Sequence, residues 1–168
     1  MPRSCMSILD ELHAGVVTSS AADTRGLAAR LAAALPSDAT LALHGDLGVG
    51  KTTFVQGLAA GFGLSDPVTS PTFNILHLYR GTRVEYRSEE PEPRCHDLGE
   101  AGFTLVHLDA YRLENAHQVA ELMIDDFLVS PYCLAVEWPD KIAPWLPPDT
   151  LHLTLGIEAP GRHRVSLA

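Results

Sequence analysis

The sequence predicts an α/β fold, a three-layer sandwich in which a mixed, mainly parallel β-sheet is covered by helices and closed by a C-terminal β-hairpin. Three observations predict it. Short apolar runs ending on a glycine or an acid alternate with stretches of helical spacing, the pattern of buried strands joined through helices. A glycine-rich turn, GDLGVGKT at 45–52, lies between one such run and one such helix. Near the end, TLHLTLGI (150–157) and HRVSLA (163–168) flank the turn residues EAPG and read as a hairpin.

Taken in order, AADTRGLAARLAAA (21–34) is rich in helix formers, with Ser20 or Asp23 as capping candidate and Pro36 as the stop. TLALHG (40–45) reads as a buried parallel strand, and TTFVQGLAAGFG (52–63) returns to helical spacing and closes on Gly63. FNILHLY (73–79) and FTLVHLD (103–109) read as strands, LENAHQVAELMIDDFL (113–128) as a helix, and CLAVEW (133–138) as another buried strand. Between the first two of these strands, GTRVEYRSEEPEPRCHDLGEAG (81–102) is rich in Pro, Gly and Glu. It reads as a flexible acidic insertion, with a short hairpin at TRVEYR, and the alternative is a lid or partner-docking element.

A chain of 168 residues, 46% hydrophobic and 20% charged, is most simply one domain over 1–168, able to bury most of the surface its unfolded form exposes. No apolar run approaches a membrane span, and the apolar core of MPRSCMSILDELHAG is too short for a secretion signal. The expectation is a cytoplasmic protein without a membrane partner. A formal net charge of -9 argues against a free-standing nucleic-acid binder, which needs a basic face to displace counterions. Cys5, Cys95 and Cys133 are scattered and fit reduced thiols better than a disulfide framework. Cys95, His96 and Asp97 have no second cluster to complete a metal site.

Only two of the twelve basic residues are lysines, Lys51 and Lys141, so a lysine in the glycine turn answers a specific need. Gly45, Gly50, Lys51 and Thr52 match G-x-x-x-x-G-K-[ST] between a strand and a helix, the context of a phosphate-binding P-loop. Glycines let successive backbone N–H groups converge on phosphate oxygens, and the helix N-terminus adds partial positive charge. A slim lysine follows the loop to the β and γ phosphates, where a planar guanidinium is too wide. Thr52 offers a hydroxyl to Mg²⁺. Gly45, Asp46, Leu47, Gly48, Val49, Gly50, Lys51, Thr52 and Thr53 are therefore the expected nucleotide contacts, in a P-loop NTPase-like fold.

Asp109 ends one strand and Glu137 another, and ligands of open α/β sheets bind at such strand ends. The pair is expected to manage Mg²⁺ and the attacking water, with Lys51 completing the catalytic set. A strand-end acid that merely caps a turn is the plain alternative. Thr69, Ser70 and Thr72 in VTSPTF add hydroxyls around a proline, as a switch loop facing the γ-phosphate or as an ordinary turn.

With GDLGVGKTTFVQGLAAGFG, VTSPTFNILHLY, VHLDAYRL and VEWPDK in this order and spacing, the chain resembles the TsaE (YjeE) family of small bacterial P-loop ATPases over about residues 20–165. The resemblance implies a part in making N6-threonylcarbamoyladenosine (t6A) at position 37 of tRNAs that read codons starting with A. It implies ATP and Mg²⁺ as ligands, with Lys51 on the phosphates and Thr52, Asp109 and Glu137 around the metal. Ser70 and Thr72 match the SPT switch, Asp109 the acid of H-x-D-x-Y-R, and Glu137 with Trp138 the E-W pair that stands in for a Walker B acid. It also implies a weak, partner-dependent ATPase that is not itself the transferase. TsaD makes the transfer with TsaB, and tRNA is met only through their complex.

The 81–102 insertion and the lack of a glycine within AELMIDDFL depart from the family pattern, and both bear on partner contacts rather than on phosphate. Two other classes share the P-loop. A small-molecule or nucleoside kinase needs an arginine-bearing lid, for which Arg80, Arg83, Arg87 and Arg94 are the candidates. A nucleotide-gated binding module needs no turnover.

Overall fold

The computed structural model describes residues 6–71, 74–81 and 102–168. Thr72, the TRVEYR hairpin, Cys5, the Cys95–Asp97 cluster and all but the edges of the 81–102 insertion lie outside the described residues.

Among the described residues, seven strands form one mixed sheet: β1 (Val16–Thr18), β2 (Ala39–His44), β3 (Leu76–Gly81), β4 (Phe103–Asp109), β5 (Tyr132–Glu137), β6 (Leu151–Ala159) and β7 (Arg162–Leu167). Their order is β1-β7-β6-β2-β5-β4-β3. The four central strands β6, β2, β5 and β4 are mutually parallel, while β3, β7 and the β1–β7 pair add antiparallel edges. The expected C-terminal hairpin is β6–β7, turning through Pro160 and Gly161.

Helices α1 (Ile8–Ala14), α2 (Ala21–Ala34) and α3 (Lys51–Gly61) cover one face, and α4 (Ala116–Glu121) with several 3-10 turns covers the other. Strand alternation explains the two-sided burial. Leu105, Cys133 and Ala135 point into the α1–α3 core, whereas Val106, Leu108, Leu134 and Val136 point into the α4 core. Phe54, Phe62 and Phe103 are essentially fully buried on the first side, each worth about 1.5 to 3 kcal/mol of transfer free energy.

Ser20 is the N-cap of α2, accepting from the Asp23 N–H, and the helix stops at Ala34 with Leu35 extended before Pro36. Helices α2 and α3 approach closely because α3 presents Gly57 and Gly61. A Cβ on Gly57 would stand 2.4 Å from the Arg25 carbonyl, and one on Gly61 would stand 2.6 Å from that of Ala29.

Three expectations are corrected. The segment 113–128 is not one helix. A 3-10 turn over Ala110–Arg112 precedes it, Asn115 caps the short α4, and Met123 in the left-handed region (φ 51°) leads into a second 3-10 turn, Ile124–Phe127. Strand β3 starts at Leu76 rather than at residue 73, since Ile75 has φ 63° and closes a turn on the Pro71 carbonyl. The start of the chain, where no element was expected, holds α1 and β1. Ser7 and Asp10 form a reciprocal capping box there, and β1 pairs with β7. No described helix is long and apolar enough to cross a membrane.

Candidate functional site

Strand β2 delivers the chain to Gly45, where a side chain is excluded because a Cβ would stand 2.3 Å from the Leu155 carbonyl of β6. Gly48 and Gly50 take φ of 80° and 101°, which L side chains rarely adopt. Gly50 is the N-cap of α3 and offers no side chain to the first turn. The opening N–H groups of a helix have no intrahelical partner, so this turn presents donors and the positive end of a dipole to an anion. The loop is braced from behind: His163 of β7 donates through Nδ1 to the Val49 carbonyl at 3.0 Å, and Val49 itself is buried.

Lys51, at the first position of α3, is 5% exposed. Its Nζ donates to the carbonyls of Gly45 and Asp46 at 2.7 and 2.8 Å and lies 4.2 Å from the centroid of the Trp138 ring. Burial pushes the ammonium below the usual lysine range, against the opposing pull of Glu137, Asp109 and Asp46. The loop thus holds a partly desolvated cation ready to be matched by anionic oxygens.

Strands β4 and β5 lie side by side with Asp109 and Glu137 in register. Both acids are buried. The Glu137 Oε1 accepts from the Thr52 hydroxyl at 2.9 Å and from His107 Nε2–H at 2.8 Å. Asp109 Oδ1 accepts the Tyr111 N–H at 2.9 Å, so this acid does cap a turn, as the plainer expectation had it, and it also lines the central cavity. Trp138 follows Glu137 in the left-handed region with φ 56°, a conformation that costs a non-glycine residue about 1 kcal/mol or more and aims the ring beneath Lys51. The Tyr111 ring packs on Trp138 with centroids 5.2 Å apart. Lys141 donates to the Tyr111 carbonyl and lies 5.1 Å from its ring centroid.

These groups converge on a cavity of about 510 Å³. Of the expected residues, Leu47, Gly48, Gly50, Lys51, Thr52, Thr53, Ser70, Asp109, Glu137 and Trp138 line it. Gly45 and Asp46 hold Lys51 through their carbonyls instead. Thr69 is tied back to β3, its N–H donating to the Tyr79 hydroxyl at 3.2 Å. Arg80 is exposed on β3 and does not line the cavity, and Arg83, Arg87 and Arg94 lie outside the described residues.

His107 and Tyr111, given no site role as the H and Y of H-x-D-x-Y-R, lie at the site, and a second hollow of about 290 Å³ on the other side of the loop is bounded by Ser19, Ser20, Thr24, Gly161 and His163. Gly48, Gly50 and Thr53 border both spaces. His107 carried a usable signal, because strand alternation puts it on the same face as Asp109 two residues later.

The donor set fits Mg²⁺. Thr52, Asp109 and Glu137 supply hard oxygen atoms on one wall of the cavity. Among the described residues no three His, Cys, Asp or Glu side chains converge on a metal position, so the fit is to an ion that takes its remaining oxygens from phosphate and water.

Comparison with known proteins follows the same line. The family described as "Threonylcarbamoyl adenosine biosynthesis protein TsaE" matches residues 18–164. Curated relatives named tRNA threonylcarbamoyladenosine biosynthesis protein TsaE include that of Treponema pallidum, 29% identical over 90% of this chain and 98% of its own. That of Bacillus subtilis is 33% identical over 79% of this chain and 71% of its own. Among solved structures, the crystal structure of Bacillus subtilis YdiB superposes with a TM-score of 0.66 at 25% identity, covering 91% of this chain and 82% of that one.

Proposed function

Because the chain belongs to the TsaE family of threonylcarbamoyladenosine biosynthesis proteins, we propose that it binds and hydrolyses Mg·ATP in support of that tRNA modification. In this reading it acts on the TsaD–TsaB transferase complex to permit repeated turnover. The observation that carries the proposal is the convergence of the Lys51 ammonium, the Thr52 hydroxyl and the paired acids Asp109 and Glu137 on one cavity at the carboxyl ends of parallel strands.

Backbone N–H groups of the glycine loop and the first turn of α3 receive the phosphate chain, and Lys51 meets the β and γ phosphates. Thr52, Asp109 and Glu137 would hold Mg²⁺, which would supply positive charge beside the phosphoryl oxygens. Glu137, whose Oε1 is already held by two donors, orients the attacking water through its other oxygen. The ring of Trp138, packed at a tilt against Tyr111, walls the site against bulk solvent. The hollow beside Ser20 and His163, which shares Gly48 and Thr53 with the cavity, would take the nucleoside.

Nucleotide state is communicated through the 69–71 segment. Pro71 is joined by its carbonyl to the Ile75 N–H, and the Ile75 carbonyl accepts the Asp109 N–H at 2.8 Å, so a change at Ser70 reaches the acid through two backbone bonds. ATP and ADP states then differ in affinity for a partner. A net charge of -9 favours reaching tRNA through TsaD and TsaB rather than alone. The test is reconstitution of the modification with the partners. Glu137→Gln, binding ATP without splitting it, is expected to stall after the first cycle. Multiple turnovers equal to those of the native protein would defeat the resetting role.

A further inference from the structure

Strand β4 turns Phe103, Leu105 and His107 toward the α1–α3 side, and two of these three are apolar. His107 is 0% exposed. Its Nδ1 is the one buried side-chain nitrogen or oxygen among the described residues without a hydrogen-bond partner. A buried imidazole with one nitrogen unpaired burdens the fold, so packing alone does not account for it. The other nitrogen explains its presence. Nε2 lies 2.8 Å from Glu137 Oε1, and since an ionised carboxylate only accepts, Nε2 is the donor of this bond.

We infer that His107 is a positioning residue for nucleotide hydrolysis: its Nε2–H pins Oε1 of Glu137 so that the carboxylate plane is fixed and Oε2 is presented to the cavity. The Thr52 hydroxyl holds the same oxygen from the α3 side at 2.9 Å. Two donors from two elements, one rooted in β4 and one in the first turn of α3, meet on a single oxygen and leave the second oxygen to neither. A carboxylate so held loses its freedom to rotate before the nucleotide arrives, the preorganisation that hydrolysis by an oriented water requires. His107 lines neither the cavity nor the second hollow, so its influence passes through Glu137 alone.

This inference rests on the hydrolytic role given to Glu137 above, and the test separates the two. Single-turnover ATP hydrolysis and Mg·ATP affinity are measured for His107→Phe, His107→Gln, Glu137→Gln and the His107→Phe/Glu137→Gln double variant, with His107→Leu standing in if the Phe variant does not fold. Phe keeps bulk without the donor and should slow hydrolysis by about tenfold or more while affinity stays within about twofold. Gln carries a donor at the right reach and should restore most of the rate. In the Glu137→Gln background the Phe substitution should add no further loss, the signature of one residue acting through the other. A native rate in His107→Phe, matching losses of rate and affinity, or additive losses in the double variant would overturn the inference. A native rate in Glu137→Gln would instead remove the hydrolytic role of Glu137 itself, and this inference with it.

Discussion

Replacing Lys51 with Met separates what the loop does for phosphate from what it does for the fold. The native ammonium is 5% exposed and makes two charged hydrogen bonds to loop carbonyls. Its contact with a phosphate would add a charge-assisted bond worth about 1.5 to 3 kcal/mol. At about 1.4 kcal/mol per factor of ten, the substitution should weaken Mg·ATP binding by roughly tenfold to 150-fold.

The nucleotide-free fold should behave differently. Burial holds the folded-state pKa of Lys51 below its unfolded value, so folding favours the neutral amine. Any stability from that shift is present above the unfolded pKa and is lost as pH falls through the folded one. At neutral pH the buried charge therefore opposes folding, and Met relieves this while giving up the two carbonyl bonds. These changes offset each other, and the melting temperature without nucleotide should move by no more than about 3 °C. Titration calorimetry and thermal denaturation with and without Mg·ATP measure both. The native affinity should also decline as pH rises into the lowered range of Lys51, a dependence absent from the Met variant. Unchanged Mg·ATP affinity after the substitution would refute the phosphate-site reasoning.

Glu137→Gln should slow hydrolysis far more than it weakens nucleotide binding, and rapid-quench rates set beside calorimetric affinities would show equal losses if the acid only holds ligand. Gly57→Ala should lower the melting temperature by roughly 2 to 12 °C, since its Cβ would meet the Arg25 carbonyl at 2.4 Å and overpacking costs about 1 to 3 kcal/mol. Gly26→Ala on α2, with no atom within 4 Å of the new Cβ, should raise it by about 2 to 3 °C, and scanning calorimetry of both variants tests the opposite signs. Nucleotide addition should change the fluorescence of Trp138, whose ring faces Lys51. A Trp138→Phe variant that kept the whole signal would assign it to Trp145 instead.

The parts of this fold that were legible in the sequence are those whose signals are local. The strand–glycine loop–helix unit, the Ser20 cap and the C-terminal hairpin follow from turn residues and spacing. The supposed helix over 113–128 shows the limit. Leu113, Val119 and Ile124 are all buried in one cluster, so the apolar spacing is real, but it records a segment lying along the sheet rather than one unbroken helix. Asn115 and Met123 break the backbone where the pattern runs on. Strand β1 is three residues long, too short for any period to register, although the Ser7–Asp10 capping box ahead of it was readable. At the site, the glycine loop is contiguous and was legible. That Asp109 and Glu137 face each other depends on the register of β4 against β5, and the grip of His107 on Glu137 depends on it too, which no local pattern encodes.

The glycine loop leans on segments made long after it: Gly45 abuts the Leu155 carbonyl, and Val49 is held by His163, 114 positions later. Both neighbours of β2, namely β5 and β6, also come later in the chain. A nascent polypeptide therefore leaves the ribosome carrying GDLGVGKT with nothing to seat it, and long-range pairings of this kind form slowly. Products interrupted before β6 hold the full motif and yet lack the Leu155 and His163 neighbours that back it. Under the proposed function, nucleotide, which stabilises only a state that can bind it, would favour the finished chain over its fragments during synthesis.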